Sequence, residues 1–302
     1  MKTAYLGTSD FAATVLRRLA ASPHRPALVV TPPDRRQGRG RKVQPPPAAV
    51  AARELGLELL QAENVNDDEA SARIRAAQPE AVLVCAFGQL IREPLLSDFP
   101  MLNVHPSLLP RWRGAAPIER AIMARDAETG VCVMRLTAGL DSGPVALCER
   151  TPVGPDDDFG ALAARLAELG GDLLVRALDL QAEGKLEFAE QDEVGVTYAE
   201  KIEAAERRLD PERPAVELAA KVHALTPHIG AYLELAGDER LGVRQAHAAE
   251  SGADLQPGRL AESDGALLLG TGAGALRLEV VQPAGGKPMP ADAYLRGHPL
   301  PG

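Results

Sequence analysis

Asn103-Val104-His105-Pro106-Ser107-Leu108-Leu109-Pro110, running on into Arg111-Trp112-Arg113-Gly114, decides the reading of this chain. The apolar run Met101 to Val104 predicts a strand, which sets an amide and an imidazole two residues apart at its end. Side chains alternate along a strand, so Asn103 and His105 share a face. The prolines behind them pin the loop. In an open α/β sheet ligands bind at the carboxyl ends of strands. A hydrogen-bond donor fixed there beside an acid/base group suits chemistry at a carbonyl. The same residues also admit a plainer reading, a hydrogen-bonded structural histidine followed by ordinary loop formers. A second element weighs toward chemistry: Leu140-Asp141-Ser142-Gly143 follows another apolar run, Val131 to Leu136, and could bring a carboxylate to the same crevice. Amide, imidazole and carboxylate would make a proton-transfer site without metal.

Around that stretch, short apolar runs alternate with helical patterns, which predicts βαβ units and an α/β, Rossmann-like, mainly parallel sheet. Strands are expected at Lys2 to Leu6, Ala27 to Val30, Leu57 to Leu60, Ala81 to Ala86 and Met101 to Val104, with Asp10 capping a helix that runs to about Ala21. A helix from about Ala115 to Ala124 and strands at Val131 to Leu136 and Val145 to Val153 follow. A long helix from Phe159 to Ala182 then carries Leu162, Leu166, Leu169, Leu173 and Leu174 at helical spacing. Past Gly184, residues 185–209 read as an extended connection. A short helix (Ala215 to Ala224) leads into five short strand-like runs between Ala231 and Val281, punctuated by Gly237-Asp238 and Asp264-Gly265. That spacing predicts a small OB-like β-barrel. The expected division is a catalytic domain over 1–184, a linker over 185–209 and the barrel over 210–302.

The composition bounds the possibilities. The 302 residues, 45% hydrophobic and 25% charged, are ordinary for a globular chain of two domains, and no run of about 18 apolar residues predicts a membrane span. Cys85, Cys132 and Cys148 lie far apart and none has C-x-x-C spacing, so neither a zinc site nor a disulfide is expected, and a reducing cytoplasm is the simplest home. The net charge of −9 speaks against nucleic acid until its distribution is considered. Residues 1–47 hold nine Lys/Arg against two acids, +7 locally. An acidic body with one basic patch repels RNA generally and grips it at one place. Gly7-Thr8-Ser9-Asp10 lacks the G-x-G-x-x-G pattern, and Gly270 to Gly274 reads as a turn, so a nicotinamide enzyme is a poor second choice.

The run Asn103 to Ile118, with Leu140-Asp141-Ser142-Gly143 behind it, resembles the core of the 10-formyltetrahydrofolate-dependent formyltransferases. Matching segments at Gly7 to Phe11, Thr31 to Gly40, Val84 to Gly88, Asp126 to Val131, Val196 to Ile202 and Val280 to Gly285 extend the resemblance over nearly the whole chain. The basic loop and Val196 to Ile202 single out the branch that acts on charged initiator tRNA. The resemblance implies transfer of the formyl group of 10-formyltetrahydrofolate to the α-amino group of methionyl initiator tRNA, for translation initiation. It makes Asn103, His105 and Asp141 the catalytic residues and lines the folate pocket with Ser107, Leu108, Leu109 and Pro110. It assigns tRNA contacts to Arg35, Arg36, Arg39, Arg41 and Lys42, carried on a mobile basic arm between proline anchors, and it implies no metal. Two positions depart from the pattern: Pro106 stands where many tRNA-directed members have Gly, and Thr226-Pro227-His228-Ile229 replaces Asn-Pro-Trp-Pro. The rival readings are a formyltransferase acting on another amine, such as glycinamide ribonucleotide or an amino sugar nucleotide, and a non-catalytic RNA-binding protein. No oligomeric state is legible; a monomer is compatible.

Overall fold

A computed structural model describes residues 1–37, 42–235, 237, 239–249, 254–263, 265–298 and 300. The first half runs β1 (Thr3–Gly7), α1 (Asp10–Ala20), β2 (Pro26–Thr31), β3 (Arg35–Gln37), β4 (Lys42–Gln44), α2 (Pro47–Glu54) and β5 (Leu59–Gln61). Next come α3 (Asp68–Ala76), β6 (Ala81–Cys85), α4 (Leu95–Asp98), β7 (Met101–His105), β8 (Arg113–Gly114), α5 (Pro117–Met123), β9 (Glu128–Arg135) and β10 (Val145–Pro152). The second half holds α6 (Phe159–Ala182), β11 (Tyr198–Ala199), α7 (Ala215–Leu225), β12 (Ala231–Glu234), β13 (Arg240–Ala249) and β14 (Leu260–Ser263). It closes with β15 (Ala266–Gly270), β16 (Ala275–Gln282), β17 (Met289–Pro290) and α8 (Ala291–Gly297). Contacts group these into two units: residues 1–114, 128–152 and 163–198 form one, and 115–127, 153–162 and 199–302 the other.

The first unit is built on a seven-stranded sheet of order β10-β9-β7-β6-β1-β2-β5. Its four pairings from β5 to β7 are parallel, and β9 and β10 are added antiparallel. The chain reverses direction across the sheet between β1 and β6, the switch point of a Rossmann-like arrangement. Near-continuous apolar strands such as Ala81–Cys85 are buried on both faces, as a helix-covered parallel sheet requires. On one face Ala4, Leu6, Leu28, Val30, Val82, Val84 and Met101 pack against Ile74 of α3. On the other, α6 comes close because Gly170 has no side chain: a Cβ there would lie 2.9 Å from Val104 Cγ1. The leucine stripe of α6 behaves as its spacing predicts, with Leu162, Leu166, Leu173 and Leu174 buried.

Four expectations change. Ser9, not Asp10, caps α1: its hydroxyl accepts from Ala12 N at 3.3 Å, while Asp10 is the first helical residue, where its charge complements the helix dipole. Helices α2 and α3 occupy stretches with no predicted element. α2 is alanine-rich with a weak polar face, and α3 is short, so neither shows a clear helical stripe. Cys132 and Cys148 form a disulfide. They lie directly opposite one another in the antiparallel β9–β10 pair, a neighbourhood that a separation of 16 residues conceals in sequence. Finally, the shoulders of the basic arm are not loop. β3 and β4 pair antiparallel with Arg35 opposite Gln44 and Arg36 opposite Val43.

The second unit is strand-rich and antiparallel, with hydrogen-bonded order β12-β13-β16-β15-β14 and β17 beside β16. Leu233, Leu241, Val243, Leu267, Leu269, Leu276 and Leu278 alternate into its core, against Leu218, Val222 and Leu225 of α7 and Tyr294 of α8. At the turn between β15 and β16, the Thr271 hydroxyl donates to the carbonyls of Ala273 and Gly274. Gly272 lies against the Glu212 backbone where no Cβ would fit. No helix among the described residues is long and apolar enough to cross a membrane.

Candidate functional site

Strand alternation puts Met101, Asn103 and His105 on one face of β7; Met101 joins the core, and the two polar side chains continue beyond it. The carboxylate reaches them by an indirect route. β9 runs antiparallel to β7, with Leu102 opposite Arg135, so its carboxyl end lies at the start of β7 and not beside His105. The loop after β9 has to turn back, and it does so with Asp141 in a left-handed conformation, φ +44°. Gly143 lies so tightly on the Arg135 carbonyl that a Cβ could not be accommodated.

Three side chains converge there. Asn103 Nδ2 is 3.5 Å from Asp141 Oδ1, and His105 Nδ1 is 3.7 Å from Asp141 Oδ2. The same Oδ2 accepts the Gly114 amide at 2.9 Å. Asn103 and His105 are buried, and the Asp141 side chain is 14% exposed. His105 Nε2 lies 2.9 Å from the Trp112 carbonyl, which can only accept, so Nε2 carries a hydrogen and Nδ1 is the nitrogen left for proton exchange.

The loop after β7 is held by its own hydrogen bonds. The buried Ser107 hydroxyl donates to the Arg111 carbonyl at 2.6 Å, and Arg111 N donates to Leu108 O. Ser107, wholly buried with its hydrogen on the Arg111 carbonyl, therefore shapes the loop. Leu108 lies over Gly130 of β9, where a Cβ would come within 2.5 Å of Leu108 Cδ2. Leu109 and Pro110 are half-buried. Arg35, Arg36 and Lys42 are exposed on the β3–β4 ribbon, and Arg35 is paired loosely with Glu63 at 3.4 Å. Arg39 and Arg41 lie outside the described residues.

Sequence reading passes over several groups around this site. Trp112, at φ +63°, supplies the carbonyl that fixes His105, and its own N–H donates to the Thr197 hydroxyl at 2.8 Å. Gln191 Nε2 donates to the carbonyls of Asp141 (2.7 Å) and Gly143 (2.8 Å), and its Oε1 accepts from Nε of the buried Arg113 at 3.0 Å. Gln191 comes from a stretch without apolar periodicity, where a polar residue gives no signal until its partners are known, and Thr197 lies in the segment Val196 to Ile202, whose resemblance assigns it no role. Cys85, ending β6, is no candidate nucleophile: burial pushes its thiol up to about 12. Among the described residues no group of three His, Cys, Asp or Glu side chains could hold a metal ion.

A formyl transferase family model matches residues 1–178, and a model of the formyl transferase C-terminal domain matches 201–299. The chain is 43% identical to a methionyl-tRNA formyltransferase of Methylobacillus flagellatus, covering 99% of this chain and 97% of that protein. It is 41% identical to that of Parvibaculum lavamentivorans, covering 99% and 98%. Among solved structures, HypX from Aquifex aeolicus in complex with tetrahydrofolic acid aligns with a TM-score of 0.67 at 18% identity, over 98% of this chain and 47% of HypX. This chain thus spans about half of HypX, and the likeness is one of fold. An N-formyltransferase from Helicobacter canadensis, solved with folinic acid and dTDP-3-aminofucose, aligns with a TM-score of 0.68 at 13% identity, over 92% and 98%. With both halves matched by its models and relatives alike over nearly their full length, this chain belongs to the formyl transferase family.

Proposed function

We propose that this chain transfers the formyl group of 10-formyltetrahydrofolate to the α-amino group of methionyl initiator tRNA, in the cytoplasm. The unit of residues 1–114, 128–152 and 163–198 carries the chemistry, and its basic ribbon engages the RNA. The convergence of Asn103, His105 and Asp141 on one face of β7 supports the reaction class. Identity of 41–43% along the whole chain to methionyl-tRNA formyltransferases supports the acceptor.

The folate supplies an activated formyl carbon, and the protein's tasks follow from that. Asn103 directs its side-chain amide at the formyl oxygen as negative charge develops; losing one such donor costs about 3 kcal/mol in comparable sites. As the α-amine bonds to the formyl carbon it gives up a proton, and as the bond from that carbon to N10 breaks N10 takes one up. His105 relays the proton at Nδ1 while its Nε2 stays on Trp112 O, so the ring cannot rotate out of line. Asp141 stands against Nδ1 and orients the ring, and its other oxygen turns the Asn103 amide. Leu108, Leu109 and Pro110 form the apolar border of the folate site, whose polar contacts come from loop backbone, since the Ser107 side chain is wholly buried. Arg35, Arg36, Arg39, Arg41 and Lys42 contact RNA phosphates.

Incubation with 10-formyltetrahydrofolate and either methionyl initiator tRNA or glycinamide ribonucleotide tests the reading. Formyl-methionyl-tRNA is expected from the first and no product from the second. The reverse pattern, or no product from either, would overturn it.

A further inference from the structure

The stretch between α6 and β11 reads in sequence as a bare connection, yet two of its side chains reach the site. Gln191 makes three hydrogen bonds there. Its Oε1 faces Arg113 Nε, a group that can only donate, and its Nε2 faces two carbonyls, which can only accept. The amide therefore has a single orientation. Both carbonyls belong to the turn that holds Asp141, a residue whose left-handed backbone costs about 1–2 kcal/mol. The neighbouring Leu140 is exposed, so apolar packing does not anchor this turn from that side. Thr197, six residues on, accepts the Trp112 N–H on its hydroxyl and the Arg113 N–H on its carbonyl. Trp112 is the second left-handed residue of the site, and its carbonyl fixes His105 Nε2.

We infer that Gln191 and Thr197 are positioning residues for formyl transfer: Gln191 sets Asp141, and Thr197 sets His105, each through the backbone turn that it holds. This rests on the function proposed above. Neither residue touches the reacting atoms; each removes a freedom that Asp141 or His105 would otherwise have. Misplacing a reacting group by about 1 Å costs on the order of 100-fold in rate, so the effect falls on kcat.

The test uses the full chain with 10-formyltetrahydrofolate and methionyl initiator tRNA. Gln191→Met, which keeps bulk and loses all three bonds, is expected to lower kcat by about 10- to 100-fold and leave both KM values within about twofold. Gln191→Glu, of the same shape but setting a carboxylate oxygen against the two carbonyls, is expected to lose at least as much. Thr197→Val should behave like Gln191→Met, and Thr197→Ser, which keeps the hydroxyl, should restore kcat to within about threefold of the unaltered chain. In an Asp141→Asn background Gln191→Met should cost less than about twofold, because the group it positions is already silent. Unchanged kcat in folded Gln191→Met and Thr197→Val overturns the inference. So does a full multiplicative loss in the Asp141→Asn background, or failure of both Gln191 variants to fold, which would make the residue a fold determinant. An unaltered chain that forms no formyl-methionyl-tRNA defeats the functional reading itself, and the inference with it.

Discussion

The two oxygens of Asp141 do different work. Oδ1 faces the Asn103 amide; Oδ2 takes the Gly114 N–H and stands against His105 Nδ1. Replacing one oxygen by NH2 sets a donor against a donor on whichever side it falls. Asp141→Asn is therefore expected to lower kcat at least about 100-fold, the lower range of positioned acid–base catalysis, with a thermal midpoint close to that of the unaltered chain. Steady-state rates beside a melting curve check both halves. The pairing of Asn103 with His105 was legible because strand alternation alone puts them on one face. The route of Asp141 was not, because it depends on the antiparallel direction of β9 and on a single left-handed residue, neither of which leaves a pattern in the text.

Between elements, contacts rest on glycines whose roles only coordinates disclose. Gly130 lets Leu108 lie down on β9. A Cβ on Gly130 would also meet the Glu149 carbonyl of β10, so Gly130→Ala must shift β10 as well as Leu108. It is expected to destabilise the chain by about 3 kcal/mol or more and to raise the folate KM more than the tRNA KM; urea unfolding and substrate titrations separate the two effects. In the second unit α7 places the buried His223 so that its Nε2 meets the Ala246 carbonyl of β13 at 3.0 Å. Burial, and then the neighbouring His247, hold its imidazole below the ordinary value, while the Ala246 carbonyl, and after it Asp156 and Asp158, act the other way. As pH falls, the unfolded chain takes up this proton first. The contribution is full above the ordinary histidine value of about 6.5 and fades as pH drops through the lower folded one. Substituting His223→Gln should flatten that part of the stability profile, read by urea midpoints at pH 5.5 and 7.5 (about one unit on either side of it). The long helix α6 was legible to its ends because its leucines keep a period over 24 residues. The disulfide was not, because pairing of β9 with β10 is what makes its two cysteines neighbours.

Over the whole molecule, charge is unevenly spread: a chain of net charge −9 carries +7 in its first 47 residues. Removing Arg36 and Lys42 together should raise the tRNA KM, leave the folate KM unchanged, and reduce the salt dependence of tRNA binding by about one unit of log–log slope per cation. A salt titration of binding measures it. The division of the contacts carries a different consequence. The chain passes from one unit to the other five times, after residues 114, 127, 152, 162 and 198. No single scission can liberate either unit whole. A fragment ending near residue 184 would keep α5 and the first turn of α6 as orphans of a unit whose remaining strands had been discarded. The two halves that the eye separates in the text are laced together in the thread, and cannot be expressed apart by one cut.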